Sequence, residues 1–257
     1  MLLAIDAGNT NVVFAVWDGS RLKGQWRIST DARRTADEYG LWLTQALRHA
    51  GLAPEKIVGA IMACVVPQAI FELRQLTKRY FATELMVIGD PRLKLKTGIA
   101  VKIDNPAEVG ADRLVNASAA WKEHKKALIV VDFGTATTFD VVSGKGEYIG
   151  GIIAPGVSLS LETLHRAAAK LPNVAIQPPQ KAIGTNTIGA MQSGMYYGYA
   201  GLVKGIVEKI KKEYGKPMKV IATGGLASLY AKACPAIEQA EPDLTVRGLR
   251  EIWGMNR

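Results

Sequence analysis

Two stretches of the chain repeat one pattern of apolar and polar positions. Residues 3–15 read LAIDAGNTNVVFA and residues 127–142 read ALIVVDFGTATTFDVV: an apolar run, an aspartate, a glycine, small polar residues and a second apolar run. Such a pattern predicts two buried strands joined as a hairpin. Asp132 follows Asp6 by 126 positions, and the glycines keep the same interval. The repeat predicts a duplicated fold of two halves with a cleft between them.

The turn of each hairpin has the residues of a phosphate site. The aspartate ends a buried strand, and a glycine such as Gly8 permits a tight turn beside it. Backbone N–H groups and short donors, here Asn9, Thr10 and Asn11, suit an anion, while the carboxylate of Asp6 can hold a hydrated metal. A single turn of this kind also occurs in ordinary connections between strands. Two matching turns favour the phosphate interpretation.

Strand and helix periods alternate along the rest of the chain. A helix is predicted to begin at the capping box Thr35-Ala36-Asp37-Glu38 and to end at Gly51. The alternation predicts a mixed α/β sheet in each half, with the halves at residues 1–117 and 118–257. The other elements predicted in the first half are strands over 21–29, 57–66 and 85–88 and a helix over 68–80.

Residues 104–117, DNPAEVGADRLVNA, are predicted to form a helix with Asn105 as its N-cap. Asp112 and Arg113 then share one broad face of that helix. Neighbouring acid and base residues usually form a solvated surface pair, whereas the small residues Gly110-Ala111 would let a ligand approach the backbone. Spacing alone leaves the surface role and a catalytic role equally open.

Three glycine-containing segments follow the second hairpin. Residues 150–156, GGIIAPG, read as a flexible loop. Residues 183–194, IGTNTIGAMQSG, place Thr185, Asn186 and Thr187 just before a helix whose N-terminus could bind an anion, although capping alone explains them. Residues 220–227, VIATGGLA, predict a strand and a Gly-Gly turn that would offer flat backbone to a base or ribose, or serve as an ordinary connection.

Four glycines lie along the helix that is predicted to run to about Tyr214. Glycine costs roughly 1 kcal/mol in a helix interior, so the row predicts close packing against a neighbour. That neighbour would be the other half of the fold or a second subunit. The glycines are Gly194, Gly198, Gly201 and Gly205.

Composition narrows the class of protein. The chain has 257 residues, 48% of them apolar, enough for a large core, and a net charge of +9. Its basic residues are scattered, which favours an anionic small molecule over nucleic acid. Residue 1 leads straight into a strand without a basic leader, and no apolar run is long enough for a bilayer, so a cytoplasmic protein that binds no membrane is expected.

Cysteine and histidine usage excludes two kinds of chemistry. Cys64 and Cys234 are too few for a disulfide framework and are expected to be buried reduced thiols. The three histidines, His49, His124 and His165, are far apart and lack ligand spacing. Neither a zinc site nor a Cys/His nucleophile pair has support.

Five strings, DAGNTN, NPAEVGADR, DFGTATTFD, GTNT and TGGLA, together resemble type III pantothenate kinases, almost from end to end. NPAEVGADR and DFGTATTFD are the specific ones. The resemblance implies two ribonuclease-H-like domains of the acetate/sugar kinase, Hsp70 and actin superfamily, usually as a homodimer. It further implies transfer of the γ-phosphoryl group of ATP to pantothenate, the first step of coenzyme A biosynthesis, with Mg²⁺ and a monovalent cation, K⁺ or NH₄⁺.

The same resemblance implies a role for each motif residue. Asp6 would direct its carboxylate at Mg²⁺, with a water molecule between them. Asp112 would accept the proton of the substrate hydroxyl. Asp132 would bind K⁺. The implied ATP contacts are Asp6, Ala7, Gly8, Asn9, Thr10, Asn11, Val12, Val13 and Thr135, and the implied pantothenate contacts are Gly110, Ala111, Asp112, Arg113 and Thr187.

One position departs from the family pattern, and two rival functions stay open. Ile103 stands where the family often has a tyrosine that contacts substrate, and Tyr148 is a possible replacement. One rival is a non-catalytic transcription accessory factor, which the intact motifs argue against. The other is a kinase of the same superfamily for another small hydroxylated acid.

Overall fold

The structure is a computed structural model that describes all residues, Met1–Arg257. Its strands are β1 Leu2–Ala7, β2 Asn11–Asp18, β3 Arg21–Ser29, β4 Gly59–Cys64, β5 Leu85–Val87, β6 Ala100–Val101, β7 Leu128–Phe133, β8 Ala136–Val142, β9 Glu147–Pro155, β10 Lys219–Gly224 and β11 Gln239–Ala240. Its α-helices are α1 Ala36–His49, α2 Ala69–Phe81, α3 Ala111–His124, α4 Val157–Ala167, α5 Thr187–Tyr214, α6 Ala227–Ala233 and α7 Leu244–Met255.

The chain forms two compact units. The first unit contains residues 1–99, 104–119 and 245–257, and the second contains residues 100–103 and 120–244. The chain passes from the first unit to the second after residue 119, close to the predicted boundary after residue 117. The C-terminal segment differs from the prediction, which assigned it to the second half. Its apolar face packs in the core of the first unit, so it belongs there.

The sheet of the first unit has the order β3-β2-β1-β4-β5. Strand β1 pairs with β2 in antiparallel and with β4 in parallel orientation. Both faces of β1 are covered: Leu3 and Ile5 pack in the cluster that includes α1 and α2, while Leu2 and Ala4 pack with residues of α3 and α7. Burial on both faces explains why the strand is a continuous apolar run rather than an alternating one.

The sheet of the second unit repeats this arrangement. Its order, β11-β10-β7-β8-β9-β6, contains the same series with the same strand directions, and β6 is added beside β9. Strands β7 and β9 begin and end 126 positions after β1 and β3. Each unit therefore contains one copy of the same mixed α/β fold, which confirms the predicted duplication.

Two local predictions are wrong. The helix predicted from Asn105 is interrupted: Asn105 caps only a 3₁₀ turn, Pro106–Glu108, because Val109 has an extended backbone, and the α-helix begins at Ala111. Residues 150–156 form no flexible loop, since nearly all of them belong to strand β9. The pairing of β9 with β8 satisfies their backbone groups.

Other helix signals are confirmed. Thr35 accepts a hydrogen bond from the Glu38 N–H at 3.3 Å, and the Glu38 carboxylate accepts one from the Thr35 N–H at 2.8 Å, which completes the predicted capping box. Asn186 caps α5 by accepting from the Gly189 N–H at 2.8 Å. None of the helices combines the length and the hydropathy that crossing a lipid bilayer requires.

Candidate functional site

The turn of the first hairpin is fixed by four hydrogen bonds to its backbone. The Gly8 N–H donates to the Asn11 carbonyl at 3.0 Å, and the Val65 N–H donates to the Ala7 carbonyl at 3.0 Å. Thr30, directly after β3, donates to carbonyls on both sides of the turn. Asn9 and Thr10 are exposed and Asp6 is half-buried. The turn is therefore a rigid loop that leaves its polar tip open to a ligand.

The role of Gly8 differs from the expected one. Its backbone does not adopt a left-handed conformation. A Cβ atom at Gly8 would stand 3.3 Å from the Asn11 carbonyl oxygen, so close approach rather than φ favours glycine. Ala7 and Val12, two of the expected ATP contacts, have buried side chains. Only their backbone groups can face a ligand.

The Gly-Ala-Asp-Arg string forms the start of α3. Asp112 is half-buried in the first turn, and its Oδ1 atom accepts a hydrogen bond from the Arg113 N–H at 2.8 Å. A Cβ atom at Gly110 would stand 2.7 Å from that same oxygen. Gly110 therefore leaves the space that the Asp112 carboxylate occupies. The positive end of the helix dipole also favours a carboxylate at this place.

A buried asparagine anchors this helix. Asn116, one turn after Asp112, is fully buried, and its Oδ1 atom accepts a hydrogen bond from the Thr245 hydroxyl at 2.7 Å. Gly248 of α7 packs against Val115, where a Cβ atom would stand 2.7 Å from the valine Cγ1. The close crossing of α3 and α7 holds the Asp112 turn rigidly within the first unit.

Cys64 shows that the two predicted carboxylates share one region of the first unit. It lies at the end of β4, opposite Ala7 in the parallel pairing with β1. Burial raises the pKa of the Cys64 thiol, and the negative charges of Asp6 and Asp112 raise this pKa further. Both carboxylates thus act on the same thiol. Asp6 and Asp112 therefore both lie within electrostatic reach of Cys64 at the end of β4.

The second hairpin lies against the Gly-Gly turn of the same unit. Strands β7 and β10 are parallel and pair Asp132 with Thr223. Gly224 has a φ of +89°, and a Cβ atom there would stand 2.5 Å from Asp132 Oδ1. Thr135 is exposed at the tip of the hairpin. The predicted phosphate and nucleoside turns are therefore adjacent, and a glycine provides the room for the Asp132 carboxylate.

The second aspartate of the DFGTATTFD string is structural. Asp140 is fully buried and accepts hydrogen bonds from the Tyr148 hydroxyl at 2.8 Å and from the Thr138 hydroxyl at 3.3 Å. Tyr148 is itself 1% exposed. It cannot replace the substrate-contacting tyrosine that Ile103 lacks, so that suggestion is wrong.

A cavity of about 670 Å³ lies beside the N-terminus of α5. Thr187, one of the expected pantothenate contacts, is exposed and lines it. The apolar part of the wall includes leucine and methionine side chains. The remaining lining residues are Leu164, Leu171, Gly184, Thr185, Asn186, Ala190, Met191, Gly194 and Met195.

The four glycines along α5 do not pack closely within the second unit. A Cβ atom at any of them would meet nothing within 4 Å. Packing against the other half of the fold or against a second subunit stays a prediction. The glycines Gly194, Gly198, Gly201 and Gly205 form an exposed row together with Ala190 and Tyr197.

A cluster that sequence reasoning missed joins Glu123, His124 and Glu241 in the second unit. His124 Nε2 lies 2.8 Å from Glu241 Oε1, and its Nδ1 lies 3.2 Å from the Lys219 ammonium. The imidazole of His124 thus links the Lys219 ammonium to the Glu241 carboxylate.

Comparison with solved structures defines the class of fold. A structure from Sinorhizobium meliloti whose description names a 2-dehydro-3-deoxygalactonokinase superposes with a TM-score of 0.59 and 14% identity, covering 98% of this chain and 96% of that one. A Campylobacter jejuni structure whose description names the Baf family of transcriptional activators gives 0.55 and 19%, covering 99% and 97%. At these identities the likeness shows the fold alone: the actin-like ATPase fold of sugar kinases, with two ribonuclease-H-like units.

Sequence comparison then gives the family. The family model for type III pantothenate kinase matches residues 2–209. A type III pantothenate kinase of Paramagnetospirillum magneticum is 57% identical over 256 residues, which cover 100% of this chain and 98% of that relative. The chain belongs to the type III pantothenate kinase family.

Proposed function

We propose that the protein transfers the γ-phosphoryl group of ATP to the primary hydroxyl of pantothenate and so begins coenzyme A biosynthesis. One observation carries the proposal beyond family membership. The half-buried carboxylate of Asp112 occupies a space that Gly110 leaves open, and it acts on the same thiol as Asp6 of the phosphate turn. A proton acceptor and a phosphate turn in one region are what phosphoryl transfer to an alcohol needs.

The first turn supplies the phosphate contacts in this proposal. The backbone amides at the tip of the turn, residues 9–11, and the side chains of Asn9 and Thr10 bind the phosphate oxygens. Asp6 would hold the hydrated Mg²⁺ that accompanies ATP, because a half-buried carboxylate at the end of a strand suits a hydrated divalent cation. When bound, Mg²⁺ neutralises charge on the transferring phosphoryl group.

Asp112 and Arg113 act on the acceptor. The carboxylate of Asp112 accepts a hydrogen bond from the attacking hydroxyl, orients it, and takes its proton late in the transfer. Arg113 adjoins it on α3, and its planar guanidinium suits the carboxylate of pantothenate. Gly110 and Ala111 are small enough to let the substrate approach the backbone.

The second unit contributes the monovalent cation and further nucleotide contacts. Asp132 offers a carboxylate oxygen beside Gly224 and the Phe133 carbonyl, and oxygen ligands of this kind suit K⁺. Thr135, exposed beside Asp132, binds ATP, and the Gly-Gly turn lies against the nucleoside. K⁺, when bound, supplies positive charge near the phosphates, where neither hairpin turn contains a lysine.

A homodimer completes the proposal. The exposed row of glycines on α5 would allow a second copy to approach this helix closely, as small residues do at helix contacts. Thr187 begins the same helix and lines the cavity at its end, so a dimer through α5 would bury a pantothenate contact near the interface. We assign the reaction to the cytoplasm, and neither nucleic acid nor a membrane takes part.

The test is a coupled assay with ATP, Mg²⁺ and a panel of acceptors, with and without K⁺. Turnover with pantothenate that needs K⁺ and disappears in Asp112→Asn supports the proposal. Preference for a sugar or another hydroxylated acid would instead assign a different kinase activity. No turnover with any acceptor, from a folded protein that binds ATP, would favour the accessory-factor function.

A further inference from the structure

The first phosphate turn is held by a residue that no motif marks. Thr30 donates two hydrogen bonds to the turn: from its hydroxyl to the Gly8 carbonyl at 2.6 Å, and from its N–H to the Thr10 carbonyl at 3.0 Å. One residue therefore holds carbonyl groups on both sides of Asn9. Thr30 lies 22 positions after Gly8 in the chain, so local spacing gives no sign of the contact.

These two bonds orient the amides of the turn. In a trans peptide the C=O group and the N–H of the next residue point in opposite directions, and the chain has no cis peptide. Because Thr30 holds the Gly8 carbonyl, the Asn9 N–H points away from Thr30. The Thr10 carbonyl orients the Asn11 N–H in the same way. Two amides of one turn that both point away from Thr30 are suited to bind an anion.

Thr30 is itself held on both sides. It follows β3, which pairs with β2 along its length. After it, the Asp31 carboxylate accepts from the Arg33 N–H at 2.9 Å, and the Asp31 carbonyl accepts from the Arg34 N–H at 3.1 Å. Helix α1 follows immediately, with Thr35 as its N-cap. The Thr30 hydroxyl is thus held in place before any ligand binds.

The second unit has a counterpart at the same place in the repeat. Gly156 follows β9 as Thr30 follows β3, and it stands 126 positions later. A Cβ atom at Gly156 would lie 2.1 Å from the Thr135 carbonyl oxygen and 2.6 Å from that of Gly134. In both units the residue after the third strand therefore lies against carbonyl groups of the turn. Only in the first unit does that residue have a hydroxyl group that donates a hydrogen bond to one of them.

We propose that Thr30 is a positioning residue that orients the amides of Asn9 and Asn11 for the phosphates of ATP, without touching the nucleotide. The inference rests on the proposed kinase function. Its side chain acts through the Gly8 carbonyl, so removing the hydroxyl should weaken ATP binding and leave the pantothenate contacts intact.

The experiment compares Thr30→Val, Thr30→Ser and Thr44→Val. Valine keeps the shape and the backbone N–H of threonine but lacks the hydroxyl, and serine restores it. Thr44 on α1 is the matched control, because its hydroxyl is buried without a hydrogen-bond partner. The measurements are the dissociation constant of a non-hydrolysable ATP analogue with Mg²⁺, by calorimetry, and KM for each substrate.

Thr30→Val should raise the dissociation constant and the KM for ATP about three- to tenfold, the worth of one hydrogen bond. KM for pantothenate should not change, Thr30→Ser should restore ATP binding, and Thr44→Val should match the wild type. An active wild type whose Thr30→Val variant binds ATP equally well overturns the inference alone, as does failure of serine to rescue. A folded wild type that neither binds ATP nor phosphorylates pantothenate overturns the proposed function and this inference together.

Discussion

The two hairpins are built on the same scaffold but surround their aspartates differently. In the first, three residues separate the strands, and Asp6 is paired with Ala63 of β4. In the second, two residues separate them, and Asp132 is paired with Thr223 and touches Gly224. The first turn is rich in polar donors, whereas the second has glycine where a side chain would displace the carboxylate. One scaffold therefore carries a turn of polar donors in the first unit and a carboxylate packed against glycine in the second.

The change with the largest expected effect is Gly224→Ala. The new Cβ atom would stand 2.5 Å from Asp132 Oδ1 and 2.6 Å from the Phe133 carbonyl oxygen, and φ is +89°. Left-handed backbone and overpacking together should cost about 2–5 kcal/mol of unfolding free energy, measured by denaturant titration. Gly225→Ala in the same turn is the control, since a Cβ atom there meets nothing within 4 Å. Equal stability of the two variants would contradict the described packing.

Gly156→Ala should have the next largest effect. A methyl group at this place would overlap the Thr135 carbonyl oxygen and push the second turn outward. We expect a loss of about 1–3 kcal/mol in unfolding free energy, with a higher KM for ATP. Gly144→Ala, where the nearest atom would be 3.8 Å away, is the control. If Gly156→Ala changes neither quantity, the counterpart role of Gly156 and Thr30 is wrong.

Asp132→Asn tests the division of labour between the hairpins. Loss of the carboxylate should raise the K⁺ concentration for half-maximal activity by about tenfold or more, because the cation loses a charged ligand. The Mg²⁺ requirement should stay unchanged. Asp6→Asn should instead raise the Mg²⁺ concentration for half-maximal activity and leave the K⁺ requirement unchanged. A shared effect of both variants on both cations would remove the distinction between the two turns.

The smallest expected effect concerns Cys64. Burial and the charges of Asp6 and Asp112 raise the pKa of its thiol, so little thiolate is present at pH 8 and alkylation by iodoacetamide is slow. Asp112→Asn removes one negative charge and lowers this pKa, so alkylation should become modestly faster. Mass spectrometry locates the label, and Cys64→Ser is the control for reaction at the buried Cys234. An unchanged rate would argue that Asp112 lies too far from the phosphate turn.

Local chemistry and the internal repeat explain which features could be predicted. Both hairpins, the Thr35 capping box and the Asn186 cap follow from patterns within a few residues. The motif strings alone assigned Asp6 and Asp112 to one site. Their assigned roles remain predictions, since only the assays above test them.

Most of the failures come from contacts beyond the few residues that a local sequence pattern covers. Residues 150–156 contain three glycines and a proline and read as a loop, but pairing with β8 makes them a strand. Thr30 and the His124–Glu241 pair act across 22 and 117 positions, where periodicity carries no information. The α-helix starts only at Ala111 because the extended Val109 interrupts the capping signal of Asn105.

The position of α7 has a consequence for synthesis on the ribosome. Leu249 and Ile252 fill the core beneath Leu2 and Ala4, and Trp253 stands where a Cβ atom on Gly59 would overlap its ring. The half of the molecule that is translated first therefore cannot close its core until the last dozen residues have emerged. Nascent chains arrested before α7 should be protease-sensitive in β1–β5 even when the second unit is already folded.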